Sequence, residues 1–122
     1  MKFLLNNILS LSIAVIIAIF SFMSPNDITR INIFHIHNID KIVHASMYFF
    51  LTITINFENR RKITKPSHWF ITGIIPLFYG ITIEFLQPVI TQGRTMEFAD
   101  ILFNISGILL GIIIWLIISH RK

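Results

Sequence analysis

Cysteine is absent from the 122-residue chain, which removes disulfides, thiolate metal sites and cysteine nucleophiles together. Charge is scarce as well. Only 13% of the residues are Asp, Glu, Lys or Arg, where a soluble domain carries about a quarter. Apolar residues make up 54% of the chain and the mean hydropathy is +0.74. A chain so composed cannot clothe a water-facing surface, so its surface is expected to face lipid. The sequence also lacks a glycine-rich phosphate loop, a nucleophile elbow, an H-E-x-x-H pair and any repeat of solenoid period. The formal charge of +4 is no nucleic-acid signal, because the basic residues lie at the chain ends and between apolar blocks, where membrane proteins keep them. No nucleic-acid partner is expected.

What is present is four apolar blocks. A bilayer core about 30 Å thick needs roughly 20 helical residues. The blocks at residues 4–23, 40–57, 67–87 and 98–119 come close to that length. Between them lie "SPND", "ENRRKITKPS" and "QPVITQGRTME", rich in the Pro, Gly, Asn and charge expected of breaks. The expected fold is all-α: a polytopic, four-helix bundle forming a single domain over residues 1–122. A cleaved signal peptide is the rival reading of the first block. Lys2 and the apolar run suit it, but the run is long and no A-x-A-like site follows. Pro76 should kink the third helix, since its ring removes an amide donor and crowds the preceding turn. Trp69 and Trp115 suit anchoring near a membrane interface.

Lys and Arg then set an orientation. Four spans put Lys2, Arg60, Arg61, Lys62, Lys65, Arg121 and Lys122 on one side, and Arg30, Lys41 and Arg94 on the other. The positive-inside rule places the first group in the cytoplasm, with both termini. The run "ENRRKITK" then lies against anionic headgroups on that side. The chain is expected to cross its membrane several times.

With that orientation, polar residues from three spans collect at one depth near the outer surface. Asp40, His44 and Tyr48 recur at i, i+4 and i+8, with Lys41 beside them. Gly80, Glu84 and Gln87 recur at i, i+4 and i+7, and Asp100, Asn104, Gly107 and Gly111 at i, i+4, i+7 and i+11. Each set forms one stripe on its helix. Placing a charged side chain at mid-helix costs around 2.5–3.5 kcal/mol on insertion scales, so such stripes turn toward neighbours or water. Arg94 lies in the connection between the last two blocks.

Each feature also has a plain structural reading. Asp40 caps a helix start, Lys41 snorkels to the headgroups, and a lone His44 is a hydrogen-bonded packing residue. Tyr48 and Tyr79 are common packing aromatics, and Gly107-x-x-x-Gly111 is a small-residue packing pair. Glu84 resists this treatment best, being an intramembrane carboxylate one turn from the end of its block. Its structural counterpart is an ion pair with Arg94, which Asp100 could form instead. "FHIH" places His35 and His37 at a spacing that binds metal only with a third ligand, which the segment lacks.

The stretches "DKIVHASMY", "YGITIEFLQ" and "GRTMEFADILFNISGILLG" resemble, in order, the three motif blocks of the VanZ-like family of small bacterial membrane proteins. The resemblance runs from Asp40 to Gly111 and leaves the first helix uncovered. It implies an integral membrane protein of the cell envelope, in a family whose founding member is associated with reduced susceptibility to the glycopeptide teicoplanin. It implies no reaction. The signature positions carried over are Asp40, Lys41, His44, Tyr48, Gly80, Glu84, Gln87, Arg94, Asp100, Asn104 and Gly107.

Three roles of different class follow. In the first, the polar layer binds an envelope lipid or cell-wall precursor. Lys41 and Arg94 meet phosphate or carboxylate, and Tyr48, Gln87 and Asn104 supply neutral hydrogen bonds. In the second, His44 with Glu84 or Asp100 acts as general base and orienting carboxylate on a lipid headgroup, and Arg94 stabilises developing charge. A metal held by His44, Glu84 and Asp100 is a variant of this second role; no cofactor is otherwise expected. In the third, the layer only fixes helix register for a membrane partner.

Overall fold

The computed structural model describes residues 5–22, 39–61, 68–90 and 98–120. All regular structure among them is helical: α1 Ile8–Ser21, α2 Ile39–Glu58, α3 His68–Thr72, α4 Ile74–Ile90 and α5 Phe98–His120. These fall on the four expected blocks, the third being divided into α3 and α4. The division comes at Gly73, one turn before Pro76. Proline has no amide to give the carbonyl four residues back, which is that of Thr72, so the ladder opens there. It resumes with Leu77 N–H donating to the Gly73 carbonyl at 3.2 Å. The fourth helix also runs past the expected end at Gln87, through Pro88 to Ile90. So close to a terminus, the second proline removes a single ladder bond, the one to Glu84, and the helix tolerates it.

Burial is inverted relative to a soluble protein. Exposed large hydrophobic residues outnumber buried ones by more than two to one among the described residues, whereas Ser21, His44, Thr52, Asn56, Thr72, Glu84, Gln87, Asp100 and Asn104 are all buried. Exposed apolar surface of this extent marks contact with lipid or partners. Hydroxyls on the outside satisfy themselves: Ser12, Thr54, Thr82 and Ser106 each donate to the carbonyl four residues back, as side chains do in apolar surroundings. By length and hydropathy, Phe98–Ser119 is the one described helix able to cross a membrane. Ile8–Ser21 and Ile74–Ile90 are apolar but shorter.

The closest helix pair is α2 with α5, and glycine makes it possible. A Cβ on Gly107 would lie 2.1 Å from the Ala45 carbonyl oxygen, so the two backbones touch where no side chain intervenes. Gly111 packs in the same seam against Thr52 and Phe49. In a lipid surrounding, where helices have little hydrophobic reason to associate, close packing of this kind is what holds them together.

The remaining contacts fix helix direction. At one end, the Glu58 carboxylate accepts the Leu9 and Ser10 amides at 2.9 and 2.8 Å, and the Ser10 hydroxyl as well. A carboxylate at the C-terminus of α2 opposes its own helix dipole, and here it caps the N-terminus of α1. Asn59 reaches Asn7 at the same end. There too, Thr72 contacts Asn56, and Trp69 meets Trp115 edge-on at 5.4 Å. Both tryptophans are buried. The expectation of interfacial anchors is therefore corrected: each indole finds an aromatic neighbour inside the bundle. At the opposite end, Gln87 donates to the Ser21 carbonyl at 2.9 Å. Helices α1 and α4 thus run one way, and α2 and α5 the other.

Candidate functional site

The polar stripes of three helices meet at the end of the bundle where α2 and α5 begin and α4 finishes. In α2, His44 and Tyr48 lie one turn apart and both are buried. In α4, Glu84 is 0% exposed, with Gly80 one turn below it. In α5, Asp100 and Asn104 are buried one turn apart. One ligand atom from each of His44, Glu84 and Asp100 lies within 4.8 Å of the others. Three helices with no sequence adjacency therefore bring an imidazole and two carboxylates together inside an apolar protein.

A second layer lies one turn deeper. A Cβ on Gly80 would stand 3.0 Å from the Tyr48 ring and 3.2 Å from the Asn104 amide nitrogen. Gly80, Tyr48 and Asn104 thus close the floor beneath Glu84, His44 and Asp100. The Asn104 oxygen has no hydrogen-bond donor among the described residues. The Tyr48 ring is followed by Tyr79 at 6.5 Å, whose hydroxyl donates to the Ala14 carbonyl of α1.

The rim carries positive charge. Lys41 Nζ lies 3.7 Å from Asp100 Oδ1, and its side chain is 21% exposed. Two carboxylates buried this close repel each other and need positive charge beside them. Lys41 supplies part of it.

The expected site residues are thus placed as follows. His44, Tyr48, Gly80, Glu84, Asp100 and Asn104 come together, with Lys41 at the rim. Gln87 is buried and spends a donor on α1, so its demonstrated bond docks a helix. Gly107 and Gly111 lie in the α2–α5 seam, as a packing pair should. Asp40 belongs to the first turn of α2, with its side chain outside the description. Arg94, His35 and His37 lie outside the described residues.

The sequence reading overlooked a polar cluster at the other end. Thr52, Asn56 and Thr72 are buried there, the last two in contact. A signal existed. The Asp40–His44–Tyr48 stripe continues at i+4 through Thr52 and Asn56, so a polar stripe runs beside the buried Leu51 and Ile55 on the interior face of α2.

The family model described as VanZ/LLP1 matches residues 3–119, and the chain belongs to that family. The match extends over α1, which the three motif blocks leave out. No curated protein and no solved structure matches the chain.

Proposed function

We propose that this member of the VanZ/LLP1 family is a multi-pass protein of the bacterial cytoplasmic membrane. Its four spans place both termini in the cytoplasm, and its outward-facing polar layer binds the headgroup of an envelope lipid or a lipid-linked cell-wall precursor. The observation that carries this reading is the convergence of buried His44, Glu84 and Asp100, within 4.8 Å, beneath the rim lysine Lys41. Costly polar side chains gathered at one depth of a lipid-facing bundle are expected to serve a ligand. Lys41 and Arg94 meet its phosphate or carboxylate, Arg94 with two parallel hydrogen bonds. Tyr48 and Asn104 supply neutral partners. A role in teicoplanin susceptibility would follow if the bound molecule is a cell-wall precursor.

The test is retention of lipid. Protein extracted in mild detergent is expected to keep anionic lipid or lipid-linked precursor that mass spectrometry detects. Arg94→Ala should lower the retained amount at least tenfold, since each charge-assisted hydrogen bond is worth about 1.5–3 kcal/mol, and Lys41→Ala less, because Lys41 is shared with Asp100. Unchanged retention in Arg94→Ala contradicts the proposal.

Chemistry on the headgroup is the second reading, and the same proximity favours it. His44 would serve as general base, with Glu84 or Asp100 orienting it and Arg94 stabilising developing negative charge. The readings part on turnover. A catalyst disabled by His44→Ala changes the lipid composition of the cell, whereas a binding protein so altered changes only what it retains.

A further inference from the structure

The donor set at the polar layer is a metal ligand set. We propose that His44, Glu84 and Asp100 bind one divalent transition-metal ion, zinc foremost, between α2, α4 and α5. The inference rests on reading this layer as a binding site, and it does not depend on which lipid is bound.

Imidazole and carboxylates are the ligands zinc takes when thiolates are absent, each about 2.0–2.2 Å from the ion and so roughly 3.4 Å from one another. The three ligand atoms here lie within 4.8 Å of one another, so small side-chain rotations close them around an ion. All three residues are buried and each comes from a different helix, so the geometry is held by the fold rather than by a loop. The charge balance points the same way. Glu84 and Asp100 are both buried, and a cation between them relieves the repulsion of two close carboxylates. Lys41, 3.7 Å from one Asp100 oxygen, stands on the rim side and remains as an outer counter-charge.

An independent observation comes from the floor. The Asn104 oxygen is buried, one turn beneath Asp100, with no donor among the described residues. An acceptor left so in an apolar interior is costly. Water held by a metal above it supplies the missing donor. Three protein ligands leave a coordination position for such a water or for a ligand oxygen. An oxygen of a headgroup phosphate fits that place, so the ion would join the carboxylate-lined layer to an anionic ligand that the carboxylates alone would repel.

The test uses full-length protein in detergent, stripped with a chelator and freed of lipid. Calorimetric titration with zinc chloride, and separately with manganese, should show one saturable site per chain for at least one of them, together with a raised unfolding temperature. His44→Ala and the near-isosteric Asp100→Asn should each weaken binding about tenfold or more, with helix content by circular dichroism unchanged in Asp100→Asn. The double variant His35→Ala/His37→Ala should bind as the wild type does. Absence of saturable binding for both metals overturns the proposal, as does binding that survives both site variants and disappears with His35 and His37. Retained lipid measured on the unstripped protein separates the two readings. Metal binding without lipid retention overturns the lipid proposal alone, and lipid retention without metal binding overturns this one alone.

Discussion

Gly107→Ala is expected to destabilise the bundle by about 3 kcal/mol, at the upper end of the cost of overpacking. The added Cβ would sit 2.1 Å from the Ala45 carbonyl oxygen, 2.9 Å from its carbonyl carbon and 3.1 Å from its Cα. These are backbone atoms, and no rotamer change removes them. The helices must move apart, and every contact along the α2–α5 seam weakens together. Gly111 provides the control. A Cβ there meets the Thr52 side chain at 3.1 and 3.3 Å and the Phe49 oxygen at 3.2 Å. Shifts of a few tenths of an ångström relieve that, at a cost of about 1 kcal/mol, the lower end of the range for overpacking. Unfolding in a denaturing detergent series should therefore rank Gly107→Ala well below Gly111→Ala. Equal stability of the two would show that the helices do not meet at Ala45. The consequence reaches the polar layer as well, because His44 neighbours Ala45 and Asp100 lies two turns before Gly107.

Glu84 should separate structure from binding. Glu84→Ala removes a fully buried side chain and leaves both a cavity and disrupted polar neighbours, for an expected cost of about 3–5 kcal/mol. Glu84→Gln preserves volume and shape while removing the charge. It should cost far less stability than Glu84→Ala, since no cavity is left, yet weaken metal binding more than tenfold. Thermal unfolding and a binding titration on the same preparation measure both quantities. A purely structural layer makes a different forecast, in which fold and function fail together in Glu84→Gln or neither does.

Helical periodicity made much of this legible. Stripes at i, i+4 and then i+8 in α2, or i+7 in α4 and α5, identified the faces of those helices that are buried, because a charge in lipid is costly enough to decide which way a helix turns. Glycines at Gly107 and Gly111 marked a close helix contact. Periodicity says nothing of which helix lies opposite, so the partner of Gly107 could not be read from it. The break at Gly73 was displaced by one turn because proline acts on the carbonyl four residues back. Trp69 and Trp115 were misplaced because an indole suits an interface and a buried aromatic pair equally well. Glu58 was overlooked because it opens a charged run, where an acid looks like surface. Its position at the C-terminus of α2, which its own helix disfavours, was the available hint that its partner lay on another chain segment.

The convergence of His44, Glu84 and Asp100 can be tested directly, since the chain contains no cysteine to interfere. Cysteine pairs at His44/Asp100 and His44/Glu84 would be combined with a protease site in the 62–67 connection. Membranes would then be treated with a short bifunctional thiol reagent, and the halves separated on a gel after cleavage. The expected result is that both pairs hold the halves together, while the exposed pair Ile42/Leu102 does not. Halves that separate for both inner pairs, with the protein folded, would contradict the existence of the layer.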